Sequence, residues 1–166
     1  MRKIKNPFIE LSRGHDYNCF GCSPFNEIGL RLEFWEDGDE LIAKWQPRKS
    51  LEGWTGILHG GIQATLLDEM AGWIVMIKLK TAGVTAKMNV EYLKPLTIAK
   101  GEITVKGKVV SVEKRVAKIV CSLFDNSGVE YAKGELEYFH FPERIAKTKY
   151  FYPGIDAFYE KQDVDN

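Results

Sequence analysis

The sequence predicts an α+β domain: a curved antiparallel sheet of about six strands wrapped around one long central helix. Three observations predict it. Strand-like alternation brackets a single long segment of different pattern, in the order two strands, one helix, four strands. That segment, Gly60 to Lys80, lacks proline and carries apolar residues on every side, and a helix apolar all round is normally buried all round. One helix is available to cover the sheet, so a sheet curled around it is the simplest arrangement that buries both.

The elements follow in order. Residues 1–28 read as a lead-in containing Cys19-Phe20-Gly21-Cys22. It starts basic, but Asn6, Pro7, Glu10, Arg13 and Asp16 interrupt any apolar export segment, so a cytoplasmic protein is expected. The domain proper spans 29–141. Residues 29–36 alternate Leu30, Leu32 and Phe34 with Arg31 and Glu33, and 40–46 follow after Asp37-Gly38-Asp39, which predicts a hairpin. Pro47 to Leu58 is loop chemistry, and Ala82-Gly83 ends the helix. Strands are then predicted over 84–93, 101–112, 116–125 and 129–141, with turns at Lys94-Pro95, Glu113-Lys114-Arg115 and Asn126-Ser127-Gly128. The tail 142–166 sets Tyr150, Phe151, Tyr152, Phe158 and Tyr159 amid charge and suits a short helix or a strap, without a predicted place.

A chain of 166 residues is one domain, able to build a core without disulfide or metal staples. Its 23 basic and 23 acidic residues cancel, so no bulk positive field attracts nucleic acid or an anionic membrane. The longest apolar run, Met70 to Ile77, is far short of the roughly 20 residues a membrane span needs. Three cysteines, Cys19, Cys22 and Cys121, make no secreted disulfide framework.

The helix carries the chemistry. On a 100° wheel, Gly61, Ala64, Thr65, Ala71, Gly72 and Val75 fall within about 60° of Asp68. The acid therefore stands on a face of small residues that leaves room for a ligand or a second backbone, with a gap to solvent as the plainer alternative. Glu69 lies about 100° round toward Trp73, a position better suited to a structural hydrogen bond. His59-Gly60-Gly61 opens the helix. Two glycines at a helix start leave N–H groups unshielded at the positive dipole end, an arrangement that suits an oxyanion, although it also suits a tight turn with His59 as cap.

Four stretches carry a resemblance: Gly56-Ile57-Leu58-His59-Gly60-Gly61, Ala64-Thr65-Leu66-Leu67-Asp68-Glu69, Gly83-Val84-Thr85-Ala86-Lys87-Met88-Asn89-Val90, and Tyr92-Leu93-Lys94-Pro95. With Cys19-Phe20-Gly21-Cys22 and Gly29-Leu30 ahead of them, the chain resembles hotdog-fold thioesterases of the PaaI-like (phenylacetyl-CoA thioesterase-like) branch over about residues 15–141. The resemblance implies hydrolysis of acyl-CoA thioesters without metal or redox cofactor. It also implies a homodimer with two active sites at the interface, and often a dimer of dimers. By position, Asp68 matches the nucleophile or general base, Gly60 supplies the carbonyl-polarising amide, His59 supports that loop, and Thr85 matches a hydroxyl that places water. Gly61, Thr65, Glu69 and Trp54 are the expected substrate contacts. One departure stands out: some relatives carry Asn six residues before the histidine, where this chain has Gly53. A non-catalytic acyl-CoA sensor is the alternative, and no accompanying DNA-binding segment favours it.

The remaining signals are weaker. Cys19, Cys22 and His15 offer three soft ligands where a structural zinc wants four, so no stoichiometric zinc is expected. His140-Phe141-Pro142 resembles a dehydratase motif but follows the last strand instead of preceding the helix. Arg48, Lys49, Lys94, Lys114 and Arg115 are candidate contacts for CoA phosphates.

Overall fold

The computed structural model describes residues 1–11 and 17–160. Strands β1 (Arg2–Ile4), β2 (Phe34–Asp37), β3 (Glu40–Trp45), β4 (Gly83–Tyr92), β5 (Ile103–Glu113), β6 (Val116–Phe124) and β7 (Glu130–His140) form one antiparallel sheet in the order β1-β2-β3-β5-β6-β7-β4. Helix α1 (Phe8–Leu11) belongs to the lead-in, α2 (Gly60–Lys78) is the long central helix, and α3 (Glu143–Lys149) begins the tail. Because β3 and β4 sit far apart in the sheet, α2 crosses its concave face between them.

Period-2 alternation explains the sheet. In β6, Ala117, Ile119, Cys121 and Leu123 are buried while the residues between them face outward, and β7 alternates in step. Register pairs Ile119 with Leu136 and Cys121 with Gly134, so these buried sets coincide beneath α2. The helix comes so close at Gly107 of β5 that a Cβ there would lie 2.6 Å from Cys121 Sγ and 2.8 Å from Ile74 Cδ1. Any side chain there would force the Cys121 and Ile74 side chains to shift.

Three differences from the sequence reading have physical causes. The sheet has seven strands, because Arg2–Ile4 adds an edge beside β2. Residues 29–33 precede β2 as irregular chain, where Arg31 has φ of 58° and the Leu30 carbonyl accepts from Trp45 Nε1 at 2.9 Å. The helix is not buried all round: Leu66, Leu67, Met70, Trp73, Ile74 and Ile77 are buried, but Gly61, Ala64, Thr65, Asp68 and Gly72 keep access to solvent.

The tail is part of the core. After α3, a 3-10 turn (Ile155–Phe158) buries Phe158 edge-on against Trp73 with ring centroids 5.8 Å apart, and Trp73 stacks on Phe34 at 4.4 Å. Tyr152 donates to the Met76 carbonyl at 2.8 Å, so the segment straps the end of α2. Among the described residues, no helix is long and apolar enough to cross a membrane.

Candidate active site

The site starts at the mouth of α2. His59 is its N-cap, and Nδ1 accepts from the Gly61 N–H at 2.9 Å. Its carbonyl accepts from Ile62 and Gln63, and its own N–H donates to the Leu51 carbonyl at 3.0 Å. Among the described residues, the Gly60 N–H has no hydrogen-bond acceptor, although it stands at the positive end of a 19-residue helix. The Gly60 carbonyl takes the Tyr92 hydroxyl at 2.8 Å. Gly53 lies under the cap, where a Cβ would sit 3.3 Å from His59 Cδ2, so an Asn at this position would crowd the ring.

A cleft of about 740 Å³ opens here, lined by Trp54, His59, Gly60, Gln63, Tyr92 and Lys94 among others. Trp54 stands on its rim, 85% exposed. Gln63 is buried, donating Nε2 to the Leu58 carbonyl at 3.0 Å, while its Oε1 has no partner among the described residues.

Asp68 stands two turns further along. Thr85 Oγ1 donates to its Oδ1 at 2.6 Å and the Tyr138 hydroxyl donates to the same oxygen at 2.7 Å. Thr85 and Tyr138 are register partners on β4 and β7, so the sheet presents both hydroxyls to one carboxylate oxygen. Burial, and then the Asp68 charge, push the Tyr138 hydroxyl well above the usual tyrosine range, which keeps it protonated and donating. Oδ2 receives no hydrogen bond from the described residues and remains available. The Thr65 hydroxyl is spent within the helix, on the Gly61 carbonyl at 2.8 Å.

Glu69 points elsewhere. It accepts from Trp73 Nε1 at 3.1 Å and lies 3.5 Å from Cys19 Sγ, under the lead-in and away from Asp68. Arg48 gives its guanidinium to the Ile28 and Gly29 carbonyls. Within one chain, Gly60 and Asp68 do not converge: the eight-residue step along the helix separates them by about 12 Å, too far for both to grip one small group.

The family model of the thioesterase superfamily matches residues 55–132, the stretch that holds the His59 cap, all of α2 and β4. Over that stretch the chain is similar to the thioesterase superfamily. Its sheet-wrapped helix is the hotdog fold, shared with solved structures. One, a thioesterase superfamily protein, is 20% identical with a TM-score of 0.66; the match covers 73% of this chain and 62% of that one, so this chain spans under two thirds of its length. The smu.793 protein of Streptococcus mutans UA159, solved bound to acetyl CoA, is 18% identical over 78% of this chain and 96% of its own, with a TM-score of 0.64. A hypothetical thioesterase of Streptococcus pneumoniae TIGR4, solved with coenzyme A, is 23% identical over 68% and 87%, with a TM-score of 0.60. No curated protein matches the chain.

Sequence reasoning overlooked three groups in this candidate site: Tyr138, Tyr92 and Gln63. Tyr138 had one available signal, since strand alternation with Leu136 and Gly134 turns it inward, toward the helix that carries Asp68.

Proposed function

We propose that the protein hydrolyses acyl-CoA thioesters at sites shared between two copies of the chain. The observation that carries this is the Asp68 carboxylate, held by Thr85 and Tyr138 through Oδ1 with Oδ2 unengaged, on the small-residue face of a helix that the sheet leaves open. Such a group is oriented without being neutralised, which is what a base or nucleophile requires.

Chain geometry supplies the second half. The long open sheet edge is β4, ten residues from Gly83 to Tyr92, whereas the opposite edge β1 has three. The carboxyl end of β4 touches the helix mouth through Tyr92 and Gly60, and its amino end touches Asp68 through Thr85. Antiparallel pairing of β4 with its copy therefore sets Gly60 of one chain beside Asp68 of the other, twice per dimer. This closes the 12 Å gap that one helix leaves.

In the reaction, Asp68 either takes a proton from water as the water attacks the carbonyl carbon, or attacks that carbon itself. The carbonyl oxygen, gaining negative charge, meets the Gly60 N–H. Collapse of the tetrahedral intermediate breaks the C–S bond and expels CoA as a thiolate, a good leaving group that needs little acid assistance. In the base route the acid forms directly; in the nucleophile route water then cleaves the acyl anhydride on Asp68. Either route consumes one water and yields one acid and one CoA. Lys94 lies in the cleft beside Gly60, where it suits a CoA phosphate. The PaaI-like assignment rests on the sequence motifs.

The test is a panel of acyl-CoAs incubated with purified protein and a thiol-reactive dye. Thiol release on at least one acyl chain is expected. Tight acyl-CoA binding without release from any of them would overturn the reading in favour of a sensor.

A further inference from the structure

Thioester chemistry leaves the CxxC of the lead-in unused. The chain from Tyr17 to Ser23 turns over the Glu69 side of α2, away from the Asp68 face. The sulfurs of Cys19 and Cys22 lie 3.1 Å apart as free thiols. The Glu69 carboxylate oxygens are 3.5 and 3.7 Å from Cys19 Sγ, and one ligand atom from each residue fits within 4.8 Å of the others. Two thiolates at about 2.3 Å and a carboxylate oxygen at about 2.0–2.2 Å from a tetrahedral cation stand about 3.5–3.8 Å from one another. Small side-chain adjustments bring the three groups to those separations.

The surroundings suit ligands. The Cys22 N–H points at Cys19 Sγ at 3.4 Å, and the Tyr17 hydroxyl lies 2.8 Å from Cys22 Sγ while receiving Asn6 Nδ2 at 3.0 Å. Donors of this kind orient and stabilise thiolates around a metal. Trp73 Nε1 holds Glu69 Oε1, and the turn backbone approaches the carboxylate so closely that a Cβ on Gly21 would lie 2.3 Å from Glu69 Cδ. Glu69 has no cationic partner among the described residues. Three groups able to carry negative charge thus share one half-buried place with no counter-charge.

We propose that Cys19, Cys22 and Glu69 bind one zinc-class divalent cation through two thiolates and a carboxylate, stapling the lead-in to the helix that carries Asp68. Local spacing alone counts the cysteines and His15, one ligand short of a closed site; His15 lies outside the described residues. The fold adds Glu69, fifty residues beyond Cys19 in sequence. Three protein ligands leave one tetrahedral position for water. Binding releases the thiol protons, so affinity rises with pH. The site is independent of the thioesterase reading, and its test needs no turnover.

Full-length protein is stripped with a chelator under a thiol reductant and titrated with Co²⁺, then with Zn²⁺ against a chromogenic chelator. One Co²⁺ per chain is expected, with a near-ultraviolet thiolate-to-cobalt band that Zn²⁺ abolishes. Zinc-edge X-ray absorption is expected to give two sulfur neighbours at about 2.3 Å with oxygen or nitrogen at about 2.0–2.2 Å. Glu69→Gln should keep the charge-transfer band but bind at least about 10–100-fold more weakly, the scale on which even outer-shell losses act. Cys121→Ser should change nothing. Wild-type protein that takes up no metal with its thiols reduced overturns the proposal, as does uptake that survives Cys19→Ser with Cys22→Ser. Formation of a Cys19–Cys22 disulfide in air, without metal uptake after reduction, overturns it in favour of a redox pair.

Discussion

Asp68 and Glu69 are neighbours with opposite surroundings, because one residue along a helix turns a side chain by 100°. Asp68 looks toward Thr85 and Tyr138 on the sheet, and Glu69 toward Trp73 and Cys19 under the lead-in. Asp68→Asn keeps volume and some hydrogen bonding but neither accepts a proton nor attacks a carbonyl. It should lower kcat at least about 100-fold with substrate binding roughly kept, since the lost interaction belongs to the transition state. Full turnover in Asp68→Asn beside lost turnover in well-folded Glu69→Gln would reverse the two assignments. Tyr138→Phe removes one of two donors to Oδ1, a hydrogen bond to a charged group worth about 1.5–3 kcal/mol. A fall in kcat of about 10-fold or more is expected with little change in KM, and unchanged steady-state kinetics would show that Thr85 alone orients the carboxylate.

Elements were legible in the sequence wherever one period dominated. The helix starts at Gly60 as read, and strands β5 to β7 lie within about two residues of their predicted bounds, because alternation survives when one face packs on a helix. Less legible was what long-range contact creates. Strand β1 is three residues with no period of its own, stable only beside β2, and the tail is fixed by Phe158 meeting Trp73, a contact that no local pattern announces. The site divided in the same way. His59, Gly60 and Asp68 sit on one element, whereas Tyr138 reaches Asp68 from seventy residues away. The turn between β6 and β7 was legible, and its chemistry gives a prediction. Asp125, 2% exposed, accepts from Ser127 Oγ at 2.7 Å, Ser127 N at 2.9 Å and Val129 N at 3.0 Å. These bonds, the Ser127 hydroxyl first, lower its pKa from the usual 3.8 to about 2. A depressed carboxyl pKa means a contribution fully present above the unfolded value and lost as pH falls from about 4 toward 2. Thermal melts should therefore show Asp125→Asn less stable than wild type at pH 6, with the gap closing by pH 2; a gap independent of pH would contradict this.

At the scale of the whole molecule, the open β4 edge and the separation of about 12 Å between Gly60 and Asp68 along α2 both bear on the proposed two-fold pair with shared sites. Light scattering at micromolar concentration should give at least a dimer, and a monomer mass would end the shared-site reading. Complementation asks more. Gly60 is the first residue of α2, where proline is favoured and its missing N–H breaks no helical bond, and His59 at φ −56° and ψ 134° already has the extended backbone that precedes proline. Gly60→Pro thus deletes the proposed oxyanion donor while keeping the helix, with an expected loss of about 10²–10³ in kcat. Neither Gly60→Pro nor Asp68→Asn chains should turn over appreciably alone. Mixed by co-expression, half of the dimers are hybrid, and each hybrid holds one site with both groups intact and one with neither. Recovery of about a quarter of wild-type activity is the result expected of an isologous pair. If each chain carried its own complete site, mixing would restore nothing, because no chain in the mixture would hold both the Gly60 N–H and the Asp68 carboxylate.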